Sequence, residues 1–386
     1  MRYSISAFPS IDPRDYMRQG KIRSPILSDK DFFLYASGRA ALYYAMKTAG
    51  LPEGSCVLLP SYHCGVEVEA VIRAGLAVEF FNIKRDLGID FDDLARRVNK
   101  KTRALVVIHY FGFPQDMDKV LAFCQTNQLL LIEDCAHALF SSYKGNFLGS
   151  LGEFGIYSLQ KTIALPNGGG LLCNSLAFDA PSPGRKYFDF TLLKSTLKSL
   201  LDFQARGSRL MGKLSSGFLS IYSERLNGVK GNTTASEPVD MRWYYDVPRY
   251  DYHHAISGLS RPLLNKEKFS DIVKKRRQNY LLLGQRIRDS VNSRIIFKEL
   301  DEGVCPLCFV VSVENRDRMV DEMNREKLYP FVFGRIPHPL LAINNYPDTL
   351  YLAGHLLGLP IHQQLDERDV MLVADIFENS KRKVCG

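Results

Sequence analysis

The residues best suited to chemistry lie in one stretch, 129–175, which joins an acidic strand end, a lysine in a turn and a run of glycines. Residues 129–132 are apolar and lead into Glu133 and Asp134, the pattern of a buried parallel strand where it emerges at its carboxyl edge. Open α/β sheets bind ligands at that edge. Further on, the apolar and aromatic run 154–157 leads into Ser158-Leu159-Gln160-Lys161, and Gly168, Gly169 and Gly170 follow. Pyridoxal phosphate needs an amine to form a Schiff base, a carboxylate facing its pyridine nitrogen, and hydroxyl or backbone donors for its phosphate. Lys161, Asp134 and Ser158 are of those types, and glycines let backbone come close. Taken singly each has a plainer reading, since an Asp at a strand end often caps a helix and a Lys in a loop is usually exposed.

Positioning such a set requires a sheet. Strand-like apolar runs at 55–60, 77–83, 103–109 and 129–134 are spaced by helix-like segments at 64–75, 90–99 and 115–127. That alternation predicts a parallel sheet with crossover helices. Ahead of it, residues 40–49 are good helix formers with Leu42, Ala45 and Met46 on one face. The Ser37-Gly38 turn before them would offer a phosphate the free N–H groups of a helix N-terminus; the alternative is a capped helix and nothing more. Tyr62 and His63 directly follow the first of the four strands, where a ring could stack on a ligand or simply pack in the core.

With 386 residues the chain is long enough for about two domains, and 46% hydrophobic against 24% charged residues is an ordinary globular composition. Residues 1–30, with Pro9, Pro13 and Pro25, read as an extended arm carrying a short helix at most. Residues 31–245 read as a large α/β domain and 246–386 as a smaller one. Fifty basic and forty-two acidic side chains give a net charge of +8, compatible with an anionic substrate such as a nucleotide diphosphate. Nucleic acid is not expected as a partner, because no binding motif accompanies the charge and the cluster Lys274-Lys275-Arg276-Arg277 reads as a solvated helix. Eight irregularly placed cysteines and an opening Met-Arg-Tyr-Ser without a hydrophobic leader point to free thiols in a reducing compartment, the cytoplasm. Cys305 and Cys308 form the one CxxC; without a second pair it lacks zinc ligands, so no metal is expected. Residues 186–232 carry an amphipathic helical insertion in which leucines alternate with Lys194, Lys198, Arg206 and Arg209. It would lie on a membrane surface, or pack on the large domain or across a subunit interface.

Six blocks in order resemble the DegT/DnrJ/StrS group of sugar aminotransferases, enzymes of pyridoxal-phosphate fold type I. They are Ser37-Gly38-Arg39-Ala40-Ala41-Leu42, Leu59-Pro60-Ser61-Tyr62, Ile108-His109-Tyr110-Phe111-Gly112, Ile132-Glu133-Asp134-Cys135-Ala136-His137-Ala138, Leu148-Gly149-Ser150-Leu151-Gly152, and Lys161 with its glycines. A closing pattern at 352–369 makes the match two-ended. The resemblance implies a mostly parallel seven-stranded sheet in the large domain and a smaller α+β C-terminal domain. It also implies that Lys161 and Asp134 are catalytic, that His137 lies beside the ring, and that Ser158 with Ser37, Gly38 and Arg39 takes the phosphate. The implied reaction moves an amino group from an amino acid, by analogy glutamate, to the keto group of a nucleotide-linked sugar, in a homodimer with shared sites. A non-sugar ketone, dehydration of a sugar, or a coenzyme-binding sensor are the alternatives. Four departures bear on this. Arg39 replaces a small residue, Cys64 stands where the family has its ring-stacking aromatic, Ser158 and Lys161 are closer together than is common, and Pro166-Asn167-Gly168 replaces an acidic residue before the glycines. Asp251 stands near where the family places a phosphate-contacting Asn, and an anion there would repel a phosphate.

Overall fold

The computed structural model of the protein describes residues 3–17, 24–175, 177–178, 183–186, 190–207, 252–265 and 269–385. Its main sheet has the strand order Arg185–Lys186, His254–Ala255, Phe32–Tyr35, Gly169–Cys173, Phe154–Ser158, Leu130–Asp134, Thr102–Ile108, Cys56–Pro60, Ala77–Phe81. The strands from Phe154–Ser158 to Ala77–Phe81 are parallel, while Gly169–Cys173 runs antiparallel to both its neighbours. Seven strands from Phe32–Tyr35 outward form the expected mostly parallel body. Two two-residue strands extend that edge, so among the described residues the sheet counts nine strands rather than seven.

The continuous apolar runs have a direct cause: the central strands are covered on both faces. Leu58, Leu105, Val107 and Leu131 face one buried cluster, while their alternates Val57, Leu59, Ala104, Val106 and Ile132 face the other. Successive side chains of a strand point to opposite faces, so a strand buried on both sides must be apolar throughout. Three of the helices begin where side chains cap them. Ser37, Asp90 and Asp116 accept from the backbone N–H groups of Ala40, Asp93 and Lys119 and so start Gly38–Thr48, Phe91–Arg97 and Met117–Asn127.

A second, antiparallel sheet of Ser293–Ile295, Cys308–Val313 and Leu356–Pro360 carries the helices Phe269–Arg286, Arg316–Arg325 and Glu367–Cys385. Its residues Phe309, Val311 and Leu357 belong to the same apolar cluster as Leu105 and Leu131, so the two sheets share one core. The N-terminal arm is bound along this side. Ile5–Ser6 pairs in parallel with Leu328–Tyr329, and the Ile11 N–H donates to Ser199 Oγ at 2.9 Å.

Part of the 186–232 insertion is described, as the helix Phe190–Gly207. It buries Leu192 and Thr196 and leaves Phe190, Leu193 and Leu197 exposed. Residues 208–251, with the rest of the insertion, the 245/246 boundary and Asp251, lie outside the described residues. Among the described residues no helix is long and apolar enough to cross a membrane.

The basic cluster at 274–277 lies on the helix Phe269–Arg286 with Lys274 exposed, as its charge suggested, but Arg276 turns inward. Arg276 is fully buried and donates to Leu307 O at 2.9 Å, Thr162 O at 3.3 Å and Gln363 Oε1 at 3.1 Å. Arg277 donates to the carbonyls of Asp301 and Val304. The guanidinium's forked donors explain the difference, because they match carbonyls that an apolar residue would leave unpaired.

Candidate active site

The site forms at the carboxyl edge of the parallel strands. Asp134 ends Leu130–Asp134, Ser158 ends Phe154–Ser158, and Lys161 lies in the short 3-10 turn that follows. Asp134 is buried and accepts from the Ala136 N–H at 2.8 Å. Burial, then the negative charge of Glu67, push its carboxyl up to about 7, with the Ala136 N–H and Lys161 opposing. Its neighbour Glu133 points to the other face of the strand. There it accepts from His109 Nε2 at 3.1 Å and from the N–H groups of Gly149, Leu151 and Gly152 at 2.9, 2.7 and 2.7 Å. Burial alone would raise the Glu133 carboxyl, but His109 and these N–H groups outweigh it and hold it below its ordinary value. Glu133 thus fixes the 149–152 loop and the strand that carries Asp134. His109, Glu133 and Cys135 lie close enough to share a cation, yet both carboxylate oxygens are already taken by protein donors.

His137 is buried over the sharp turn at Tyr110–Gly112, where Phe111 takes the left-handed conformation with φ 56°. That turn aims the Phe111 N–H at His137 Nδ1, 3.3 Å away, and the two rings stack at 5.5 Å and 27°. Accepting at Nδ1 leaves the proton on Nε2, and burial, then the nearby Lys161, keep the imidazole neutral well below its usual range. Gly112, with φ 101°, lets the turn lie against the second sheet, since a Cβ there would meet Pro306 Cα at 3.0 Å and Cys305 O closer still. Phe331 joins the pieces. Lys161 Nζ lies 5.8 Å from its ring centroid and the His137 ring 5.4 Å. Arg276 and Gln363 hold the Lys161 turn from behind through the Thr162 carbonyl.

The third component is a backbone cradle. Ser37 caps the helix Gly38–Thr48, whose N-terminus carries the positive end of the helix dipole. Gly38 lies over the end of the Phe154–Ser158 strand, where an added Cβ would meet Tyr157 O at 3.3 Å and Ser158 Cβ at 3.6 Å. Gly169 pairs with Ser158 on the sheet, and a Cβ on it would sit 2.5 Å from Gly38 N and closer to the Ser37 carbonyl. Ser37, Gly38, Ser158 and Gly169 therefore meet at one helix N-terminus. Arg39 follows, half-buried, in the first turn.

A buried carboxylate that carries a proton readily, an amine, and donors at a helix N-terminus are the donor set of pyridoxal phosphate, and these residues fit it. The two candidate aromatics after Cys56–Pro60 are both buried. Tyr62 is buried beneath the site, its hydroxyl on Phe333 O at 2.8 Å and its ring against Tyr110 and Phe333. His63 stacks on Phe80 at 5.3 Å, its ring nitrogens without hydrogen-bond partners among the described residues, and burial followed by His338 lowers it to about 3. Asn167, in place of the acidic residue, ties the glycine loop to the chain beyond it, accepting at Oδ1 from Ser257 N and Ser260 Oγ at 3.2 and 2.7 Å. Of the CxxC pair, Cys308 opens a strand, and both thiols are buried and free.

Glu67 went unrecognised in the sequence because an acidic residue in a first helical turn ordinarily serves the dipole. Phe331 and Phe333 carried no local signal at all.

A family model described as the DegT/DnrJ/EryC1/StrS aminotransferase family matches residues 30–179. The dTDP-4-dehydro-2,3,6-trideoxy-D-glucose 4-aminotransferase of Saccharopolyspora spinosa is 33% identical over 89% of this chain and 83% of its own length. The chain belongs to this family. GDP-perosamine synthase of Vibrio cholerae is 31% identical over 36% of the chain, a match that spans only 39% of that relative's length. A putative sugar aminotransferase from Streptococcus pneumoniae in its apo form superposes with a TM-score of 0.68 at 17% identity, over 99% of each chain. That likeness concerns the fold, and it extends the family's α/β architecture over the whole chain.

Proposed function

We propose that this protein is a pyridoxal-phosphate-dependent aminotransferase that moves an amino group from an amino acid, glutamate by analogy, to the keto group of a nucleotide-linked sugar. The observation that carries the reading is the meeting of Asp134, Lys161 and the Ser37–Gly38–Ser158–Gly169 cradle at one sheet edge. The name of the relative matched over 83% of its length supports a deoxysugar nucleotide as the acceptor class. When bound, the coenzyme supplies an aldehyde that captures amines and a ring that accepts electrons.

The chain's residues divide the remaining work. Asp134 keeps a proton on the ring nitrogen, which its raised proton affinity suits it to share. Lys161 Nζ would be the amine that holds the coenzyme's aldehyde group, and as a free amine it would serve as the base for the donor's α-proton. Neutral His137 would give the ring an uncharged flank. The cradle binds the phosphate through Ser37, Ser158 and the N-terminal N–H groups of Gly38–Thr48. We place the protein in the cytoplasm, in keeping with its eight free cysteines, and as a homodimer by analogy with the family.

The test is the absorption spectrum with added pyridoxal phosphate, before and after glutamate, for wild type and Lys161→Ala. A visible band that bleaches with glutamate, and that is missing or unresponsive in the variant, is the expected outcome. A protein that stays colourless with the coenzyme would overturn the assignment, and a band that no amino donor alters would indicate a sensor instead.

A further inference from the structure

Glu67 lies in the first turn of the helix Val66–Arg73, directly after the loop that leaves the Cys56–Pro60 strand. It is 4% exposed. Among the described residues its carboxylate has one hydrogen-bonding partner, the Cys64 thiol, at 3.1 and 3.2 Å from the two oxygens. A thiol is a weak donor, and a buried carboxylate ordinarily recruits a cation or several N–H groups. Glu133, fed by His109 and three backbone N–H groups, shows what a fully partnered carboxylate looks like in this protein. Glu67 has no such shell. It follows the carboxyl end of a strand that runs parallel with the one ending in Asp134, and its charge acts on Asp134, on Cys64 and on Tyr110. Cys64 and Lys161 are half-buried, while Asp134 and Glu67 are buried.

Resting on the coenzyme reading above, we propose that Glu67 is a second carboxylate of the cavity, a positioning residue that acts through its neighbours. It holds the Cys64 thiol, and its negative charge adds to that of Asp134 in retaining the protonated ring nitrogen. A cavity with two adjacent carboxylates and one lysine lacks one positive charge, and a pyridinium ring supplies it. The titratable groups that interact with Asp134 are then Glu67, Lys161, Tyr110 and Cys135, and Glu67 is the charge among them that raises it.

The consequence is a pH signature. Below about pH 7 Asp134 of the free protein is protonated, so taking up a protonated ring expels one proton. Affinity then falls about tenfold for each further unit of acidity, and above that pH it levels off. Glu67→Gln moves the level portion to lower pH and lowers its height, because relief of the carboxylate repulsion no longer aids binding.

The measurement is the dissociation constant of pyridoxal phosphate between pH 5.5 and 8.5, read from the absorption band, for wild type, Glu67→Gln and Glu67→Asp. Glu67→Gln is expected to bind about 3- to 30-fold more weakly at pH 8 and within about twofold of wild type at pH 5.5, because without Glu67 the Asp134 carboxyl titrates at lower pH. Glu67→Asp keeps the charge and should follow the wild-type profile. Curves for Glu67→Gln that coincide with wild type, or that lie below it by one constant factor at every pH, would overturn the proposal, the latter marking a merely structural residue. If the wild type binds no coenzyme at any pH, the functional assignment itself fails and takes this inference with it.

Discussion

Gly169→Ala tests the phosphate cradle with one methyl group. The added Cβ would lie 2.5 Å from Gly38 N and nearer to the Ser37 carbonyl, whereas nonbonded heavy atoms settle at about 3.5 Å. The Ser37–Gly38 turn must therefore retreat by about 1 Å. It cannot do so by rotating a side chain, because the obstructing atoms are backbone on both sides. Overpacking of this kind costs about 1–3 kcal/mol of stability. The larger effect falls on the ligand: a 1 Å retreat removes one or two charge-assisted hydrogen bonds to a phosphate, each worth about 1.5–3 kcal/mol. Pyridoxal phosphate affinity should fall by about 10- to 10,000-fold, while the unliganded protein loses only a few degrees of melting temperature. The control is Gly354→Ala, exposed in the helix Pro347–His355 with nothing within 4 Å of an added Cβ, which should be neutral or slightly stabilising. The assay is a coenzyme titration by absorbance paired with thermal unfolding with and without coenzyme. Wild-type affinity in Gly169→Ala would refute the cradle.

Two further perturbations follow from the site. Asp134→Asn should stabilise the coenzyme-free protein at pH 8 by about 2–4 kcal/mol. Its folded value near 7 lies above the ordinary 3.8, so ionising the buried acid costs stability that is absent at low pH and accrues as pH rises between those values. The advantage should vanish by pH 4, and denaturant unfolding at the two pH values would expose any error of sign, while coenzyme affinity at pH 8 should drop in the variant. Arg276→Lys keeps the charge but loses the fork that reaches Thr162 O, Leu307 O and Gln363 Oε1. It should cost about 2–4 kcal/mol in unfolding and slow the amino-donor half-reaction by misplacing Lys161; unchanged stability would show the buried guanidinium to be dispensable.

Much of the fold and of the site was legible along the chain, for reasons that particular residues show. Strands buried on both faces must be apolar without interruption, so residues 103–109 and 129–134 announced Thr102–Ile108 and Leu130–Asp134. Caps are local, so Ser37, Asp90 and Asp116 mark helix starts that the chain itself dictates. Asp134, Ser158 and Lys161 could be picked out because a parallel sheet delivers strand ends to one edge whatever its details. Only the tertiary structure decided the rest. Arg276 reads as one of four surface cations until the Thr162 and Leu307 carbonyls are seen around it. Tyr62 follows a strand end as a ligand-stacking ring would, yet Phe333 and Tyr110 draw it into the core. Glu67 looks like a helix-dipole residue until burial leaves it a thiol for a partner and Asp134 for a neighbour. The division has one physical origin. Backbone periodicity and capping act over a few residues and are written in sequence, whereas burial and the charge around a side chain depend on segments a hundred or more positions away.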